Sequence, residues 1–378
     1  MTSPGLDVPE ARVAGPDGPR SGCRAGRARL VSHPVVRTAL ALAAAAAAVL
    51  AGRRGELDAV WGRLGHLSWG WTVPALVVEA LSFVSFAHVQ RHLLAAAGTG
   101  VGAGPLVGLT LATSSMASSF PGGSAVSSVY RFRQYQRRGA DQLAAGWVLV
   151  AVLAAAAVSL ALVAAAGIAA AVAGRGGGGA GGEVVAVLAV VAVVAVVAVL
   201  VSRPELVASG ARWSTDAVER VRGRRYRRME LAAERLAARA RQIRLGRRRA
   251  TAVLAWAVAN WLFDCGCLAC AFAAVRAPVP WTGLLLAYGA GQLAAVVPVS
   301  PGGLGLVEGS LAVALVTYGG EPVAPVVAAV LVYRALSFWL PLPVGWVAWG
   351  VLAVRDRRAR SSSGWSTTSA RASSAGTT

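Results

Sequence analysis

The chain reads as an all-α polytopic membrane protein, on three observations. Hydrophobic residues make up 56% of its 378 residues. Several apolar runs exceed the roughly 18 residues that mark a spanning helix. Two of the runs meet similar breaks, Ser119-Phe120-Pro121-Gly122-Gly123 and Val299-Ser300-Pro301-Gly302-Gly303. Proline removes a backbone donor and glycine carries a high entropic cost, so a helix cannot pass through Pro-Gly-Gly undisturbed. At membrane depth, broken backbone survives only where protein or a watery cavity satisfies it. Paired breaks in two halves of one chain therefore point to a translocation site. A plain kink in each helix is the simpler alternative.

Residues 1–34, rich in Pro, Gly and Arg, read as a disordered cytoplasmic tail. A transmembrane domain follows over 35–354. Val35–Ala51 is its first apolar segment, an anchoring helix with a cleaved signal peptide as the alternative. Trp69–Gln90 is the second, with Trp61, Trp69 and Trp71 suited to an interfacial belt. Pro105–Phe120 leads into the first break. Leu143–Ala173 and Val184–Val201 are separated by the glycine tract 174–182. Within the domain, 203–249 is a basic stretch with apolar residues at helical spacing, either an amphipathic helix on the inner leaflet or a solvated helix that fixes topology. Ala250–Val275 is apolar, Trp281–Val299 leads into the second break, and Leu304–Tyr318 follows it. Val323–Val354 is the last run, interrupted by Pro341 and Pro343. Residues 355–378, basic and then Ser/Thr-rich, read as a disordered tail.

The net charge is +20, and all 37 basic residues are arginine. A nucleic-acid partner is rejected because these arginines lie between apolar runs, where they set topology and attract anionic lipid. Fifteen of them fall between Ser202 and Arg249. The positive-inside rule places that stretch and both termini in the cytoplasm of a cell (plasma) membrane protein. Arg131, Arg133, Arg137 and Arg138 belong on the same side only if residues 105–130 enter and leave on one face. The first break is then the tip of a re-entrant hairpin. Residues 281–320 would form its mirror from the opposite face, or else two full spans. The count is about six full spans plus two hairpins, an inverted repeat.

Few charges lie at membrane depth, where each costs at least ~2.5 kcal/mol and usually faces a partner or a cavity. They are Glu79, Asp264, Glu308 and Arg334, with Arg131 and Arg133 at the foot of the first hairpin. Arginine suits phosphate because its planar fork makes bidentate bonds. The candidate substrate-binding set is therefore Arg131, Arg133, Glu308 and Arg334, shaped by the backbones of Pro121, Gly122, Gly123, Pro301, Gly302, Gly303 and Gly305. The competing reading makes Glu308–Arg334 a structural ion pair that pins the second hairpin. Asp264 is expected to bond Asn260 one turn away, and Glu79 has no evident partner. His88 and His92, near a helix end, are read as interfacial.

Cys267 and Cys270 form a C-x-x-C with no second ligand pair, and Cys265 joins them as a small packing residue. The glycine tract lacks the Gly-Lys-[Ser/Thr] of a phosphate loop, and no nucleophile elbow or zinc motif occurs. No enzyme activity, cofactor or metal is expected.

Ser119–Ala125 followed by Arg131 and Arg137-Arg138-Gly139 resembles the first signature of the lysylphosphatidylglycerol synthase transmembrane-region family. Pro298-Val299-Ser300-Pro301-Gly302-Gly303-Leu304-Gly305-Leu306-Val307-Glu308 resembles its second, more specific signature. The resemblance covers roughly residues 35–355. It implies a flippase-like module for aminoacylated or other anionic lipids. Some members of that family carry a cytosolic aminoacyl-transferase domain, and nothing after Arg355 resembles one, so no synthesis of lysyl-lipid is expected from this chain. The leading expectation is translocation or binding of an anionic or aminoacylated lipid. The alternatives are an ion-coupled transporter of a small anion and a non-transporting subunit that docks a partner enzyme through 203–249.

Overall fold

A computed structural model describes residues 54–120, 122–174, 245–295, 301–320 and 322–374. The apolar segments 35–51 and 184–201, the basic stretch 203–249 except its last five residues, and Pro121 lie outside the described residues. Residues 59 onward belong to one compact unit, and the contacts below are within it.

Every regular element among the described residues is helical. In order these are α1 (Arg54–Gly65), α2 (Trp69–Ala96), α3 (Ala103–Ser119), α4 (Gly123–Arg137), α5 (Gln142–Gly174), α6 (Arg247–Ala274), α7 (Trp281–Ala295), a 3-10 turn (Pro301–Gly303), α8 (Leu306–Gly319), α9 (Val323–Arg334), a π turn (Ala335–Trp339) and α10 (Pro341–Ser374). Four segments are long and apolar enough to cross a bilayer: α2, the 142–170 part of α5, α6, and the continuous helix Val323–Arg358. The chain is thus an all-α polytopic membrane protein. The two further spans expected from sequence fall on undescribed residues.

α2 and α6 pack antiparallel along their length. The Ser68 N–H donates to Ala274 O at one end (2.9 Å), and an Arg249 guanidinium donates to Ala95 O at the other (3.5 Å). Ser82 and Asn260, each midway along its helix, hydrogen-bond at 3.2 Å and mark the crossing.

Between α2 and α5 the chain forms the first hairpin. α3 leaves from the Ala96 end of α2 and ends at Ser119, and α4 starts at Gly123 and returns so that a Cβ on Gly139 would lie 4.0 Å from the Thr99 side chain. Both feet are therefore on one face. α3 and α4 contain 17 and 15 residues, or about 26 and 23 Å at 1.5 Å per residue, short of the roughly 30 Å hydrocarbon core. The second hairpin, α7 and α8, has its feet at the opposite face, where a Cβ on Gly319 would meet Pro280 at 2.8 Å. Its arms of 15 and 14 residues reach about 23 and 21 Å. Among the described residues, neither arm of the second hairpin is as long as a full span.

An inverted repeat follows from the neighbour relations. Exchange α2 with α6, α3 with α7, α4 with α8, and α5 with the α9–α10 helix. Each packing pair then has a counterpart: α3 against α10 matches α7 against α5, α2 against α5 matches α6 against α9, and α4 against α5 matches α8 against α9. The match extends to close approaches. A Cβ on Gly345 of α10 would sit 2.2 Å from Leu111 O of α3, and one on Gly167 of α5 would sit 2.7 Å from the Leu285 carbonyl carbon of α7. Only glycine permits such backbone contact, which in a membrane replaces the hydrophobic drive that lipid cannot supply.

Two expectations are corrected at the C-terminal end. Pro341 and Pro343 do not interrupt the last apolar run. The π turn absorbs the missing proline donor, with the Leu340 N–H reaching five residues back to Ala335 O at 2.9 Å. The backbone is also helical as far as Ser374, although a disordered tail is expected from Arg355. No proline lies in 355–374, and Gly364 alone does not stop the helix.

Candidate functional site

The two breaks adopt conformations that only glycine accepts cheaply. Gly122 has φ 78°, and Gly302, Gly303 and Gly305 have φ 60°, 70° and 83°. The 3-10 turn at Pro301–Gly303 packs against α3, so the second break meets an arm of the first hairpin. Their surroundings differ.

At the second break every charged group is engaged. One oxygen of Glu308, Oε2, accepts the Gly305 N–H at 2.6 Å and caps α8. The other, Oε1, accepts Arg334 Nε at 2.6 Å. A second nitrogen of Arg334 donates to Gly302 O at 3.1 Å, and its guanidinium lies 4.4 Å from the Phe338 ring centroid. That ring closes over Gly302, where a Cβ would come within 2.1 Å of Phe338 Cε2. Arg334 thus ties α9 to the break, and Glu308 ties the break to α8. This is the arrangement that the ion-pair reading expects, and these bonds use two of the five N–H donors of Arg334.

The first break lacks such a pair. Arg131 points from α4 into the hairpin, donates to Thr113 Oγ1 of α3 at 2.7 Å, and stands 5.5 Å from the Phe86 ring centroid on α2. Its Nε is buried without an acceptor. Among the described residues no carboxylate pairs with it. Thr113 spends its own proton on carbonyls of its helix, Leu109 O at 2.9 Å and Thr110 O at 3.1 Å, so its oxygen is free to receive the arginine. Beside this site runs a buried chain. Tyr135 donates to Gln90 at 2.7 Å, Gln90 to Thr110 at 2.7 Å, and Thr110 to Leu106 O at 2.8 Å. It fixes α4 against α2 and α3 and so holds Arg131 in place.

The candidate set divides accordingly. Glu308, Arg334, Gly302, Gly303 and Gly305 gather at the second break, with Pro301 opening its 3-10 turn, whereas Arg131 lies eight residues along α4 from Gly123, about 12 Å, and packs on Thr113 and Phe86 instead. Arg133 joins neither, being exposed on the other side of α4. Positions i and i+2 of a helix cannot share a face.

Two sequence expectations fail at the α2–α6 crossing. Asp264 does not bond Asn260, whose oxygen accepts from Ser82. It accepts instead from Tyr288 (2.6 Å), Gln292 (3.2 Å) and Tyr333 (2.9 Å). Glu79 gains a neighbour that its own helix does not offer: it is buried one turn from Ser82, as Asp264 is one turn from Asn260, so the antiparallel crossing brings the two residues to the same level. His88, read as interfacial, is stacked on Trp256 with centroids 4.4 Å apart.

Arginines gather at the face that carries the feet of the first hairpin. Arg137 bonds Asp356 at 2.5 Å, and Gln134 bonds the same carboxylate at 2.9 Å, which brings the end of the last span to α4.

The family model described as Lysylphosphatidylglycerol synthase TM region matches residues 36–345. Comparison with the curated proteins gives no match.

Proposed function

Because this chain belongs to the lysylphosphatidylglycerol synthase TM region family, a membrane domain related to lipid handling, we propose that it binds an anionic lipid by its headgroup and carries it across the bilayer. Arg131 is the headgroup contact. One observation carries this reading: Arg131 is an arginine inside the first hairpin with an unpartnered, buried Nε and, among the described residues, no carboxylate beside it. An uncompensated charge at that depth is costly and calls for an anion. A phosphate provides acceptors for the arginine fork. Membership of a family related to lipid handling favours a lipid over a small soluble anion.

The arginine-rich face is then the cytoplasmic one, with both termini there, and the first hairpin opens inward. Headgroup binding is the domain's whole task in this reading; it has no catalytic role of its own. The test is scrambling of a fluorescent phosphatidylglycerol analogue in proteoliposomes. Arg131→Ala should abolish it while Arg133→Ala leaves it intact. Equal rates in both variants and the parent would refute the assignment. Inhibition by soluble glycerol phosphate, with no effect of added unlabelled lipid, would move the substrate to the small-anion class.

A further inference from the structure

The α2–α6 crossing contains a second group of buried polar side chains, separate from the Arg131 centre. Glu79 lies one turn from Ser82, and Asp264 one turn from Asn260, so the two carboxyls meet about 5 Å from the crossing point. Glu79 is 4% exposed, and its Oε2 accepts no hydrogen bond. Asp264 has three donors, Tyr288, Gln292 and Tyr333, and all are neutral. Among the described residues the cation that acts on Asp264 is Arg334, which is bonded to Glu308 and Gly302 O. The titratable and charged groups facing the pair are Cys265 and Cys267 from α6, Tyr288 from α7, and Tyr333 and Arg334 from α9.

Two carboxylates have no hydrogen between them to share; contact requires that one be a carboxylic acid. The donors around Asp264 satisfy a carboxylate there, while the orphaned oxygen of Glu79 is what a neutral acid leaves after donating its one proton. We propose that Glu79 and Asp264 form a proton-binding site, in which Glu79 carries the proton and donates it to Asp264, latching α2 to α6 at the centre of the inverted repeat.

Loss of that proton to water leaves two negative charges facing each other in a low-dielectric setting, and the latch repels. Because Asp264 also binds α7 and α9, the repulsion reaches the second hairpin through Tyr288 and Tyr333. A single proton thus biases the arrangement of the two repeats. The site stands on this geometry alone; its use in driving lipid movement rests on the function proposed above.

The experiment is an infrared pH titration of the purified full chain in lipid-free detergent, paired with thermal unfolding at the same pH values. The expected result is a protonated-carboxyl C=O band that disappears as pH rises, is missing from Glu79→Gln, and changes its frequency and titration midpoint in Asp264→Asn. Stability should follow the same sign. The proton is bound in the folded state, so stability is present at low pH and lost as pH rises through the titration. Glu79→Gln, whose amide donates permanently, should remove that loss. A band unaffected by either substitution, or an unchanged stability profile in Glu79→Gln, overturns the proposal. A band displaced by sodium at fixed pH also overturns it, in favour of a cation site. Lipid movement absent at every pH with the band still titrating supports the proton site and counts against the lipid reading alone.

Discussion

Glu308→Ala tests whether the second break is held by charge or merely decorated with it. The substitution removes the 2.6 Å contact to Arg334 and the 2.6 Å cap on the Gly305 N–H. Breaking a buried ion pair costs about 3–5 kcal/mol because the remaining charge stays uncompensated. Lost helix caps cost about 1 kcal/mol. The Glu308 side chain is 23% exposed and Arg334 10%, so water relieves part of the first term, and the expected total is about 2–4 kcal/mol. Arg334 keeps Gly302 O and the Phe338 ring, which is too little to replace a carboxylate. The assay is thermal unfolding in detergent for Glu308→Ala, Arg334→Leu and the double variant. Removing both charges should cost less than the sum of the singles by at least about 1 kcal/mol, as a double-mutant cycle of touching residues requires. Additive effects, or a single variant as stable as the parent, would refute the pinned break. Such a result would free Arg334 to be reconsidered as a headgroup ligand.

Other outcomes follow from the same contacts. Gly302→Ala combines a left-handed backbone with a Cβ that would lie 2.1 Å from Phe338, and it should cost about 2–4 kcal/mol from backbone strain and overpacking, read as a lowered unfolding midpoint. Gly345→Val should disturb α3 against α10, since even one carbon meets Leu111 O at 2.2 Å; cross-linking between α3 and α10 would report the displacement. Cysteines placed at the exposed Gln136 and Thr282, in a background without native cysteines, should label from opposite sides of sealed vesicles, and labelling from one side would undo the opposed hairpins. The Arg137–Asp356 pair, with side chains 43% and 22% exposed, should contribute under about 1 kcal/mol and weaken with salt, measurable with Asp356→Asn.

The breaks were legible because Pro-Gly-Gly acts on the backbone directly and needs no partner. Charge counting placed the first hairpin for a similar reason: arginine distribution along the chain reports sidedness without knowledge of packing. Arg131 and Arg133 could have been separated by helical phase alone, as two residues on a helix face nearly opposite ways. Asp264 could not be resolved that way. Its donors come from 24, 28 and 69 residues away on α7 and α9, and its carboxyl neighbour Glu79 sits on α2. Sequence offered only the nearby Asn260, which the crossing claims for Ser82 instead. The repeat hid similarly, because it is expressed in which helices touch and in glycine placement more than in matched side chains. Buried Gln90, Thr110 and Tyr135 left one faint signal, polar residues within otherwise apolar runs.

The π turn at Ala335–Trp339 has a geometric effect on everything downstream. One extra residue in a helical turn rotates all later side chains by about 100° relative to an unbroken α-helix. Arg334, before the turn, faces the second hairpin; Gly345, after it, faces α3 of the first. The turn is therefore a phase shifter that lets one helix address both hairpins. Deleting a single residue within it would keep the helix but swing Gly345 away from α3, disconnecting one half of the repeat without touching either break.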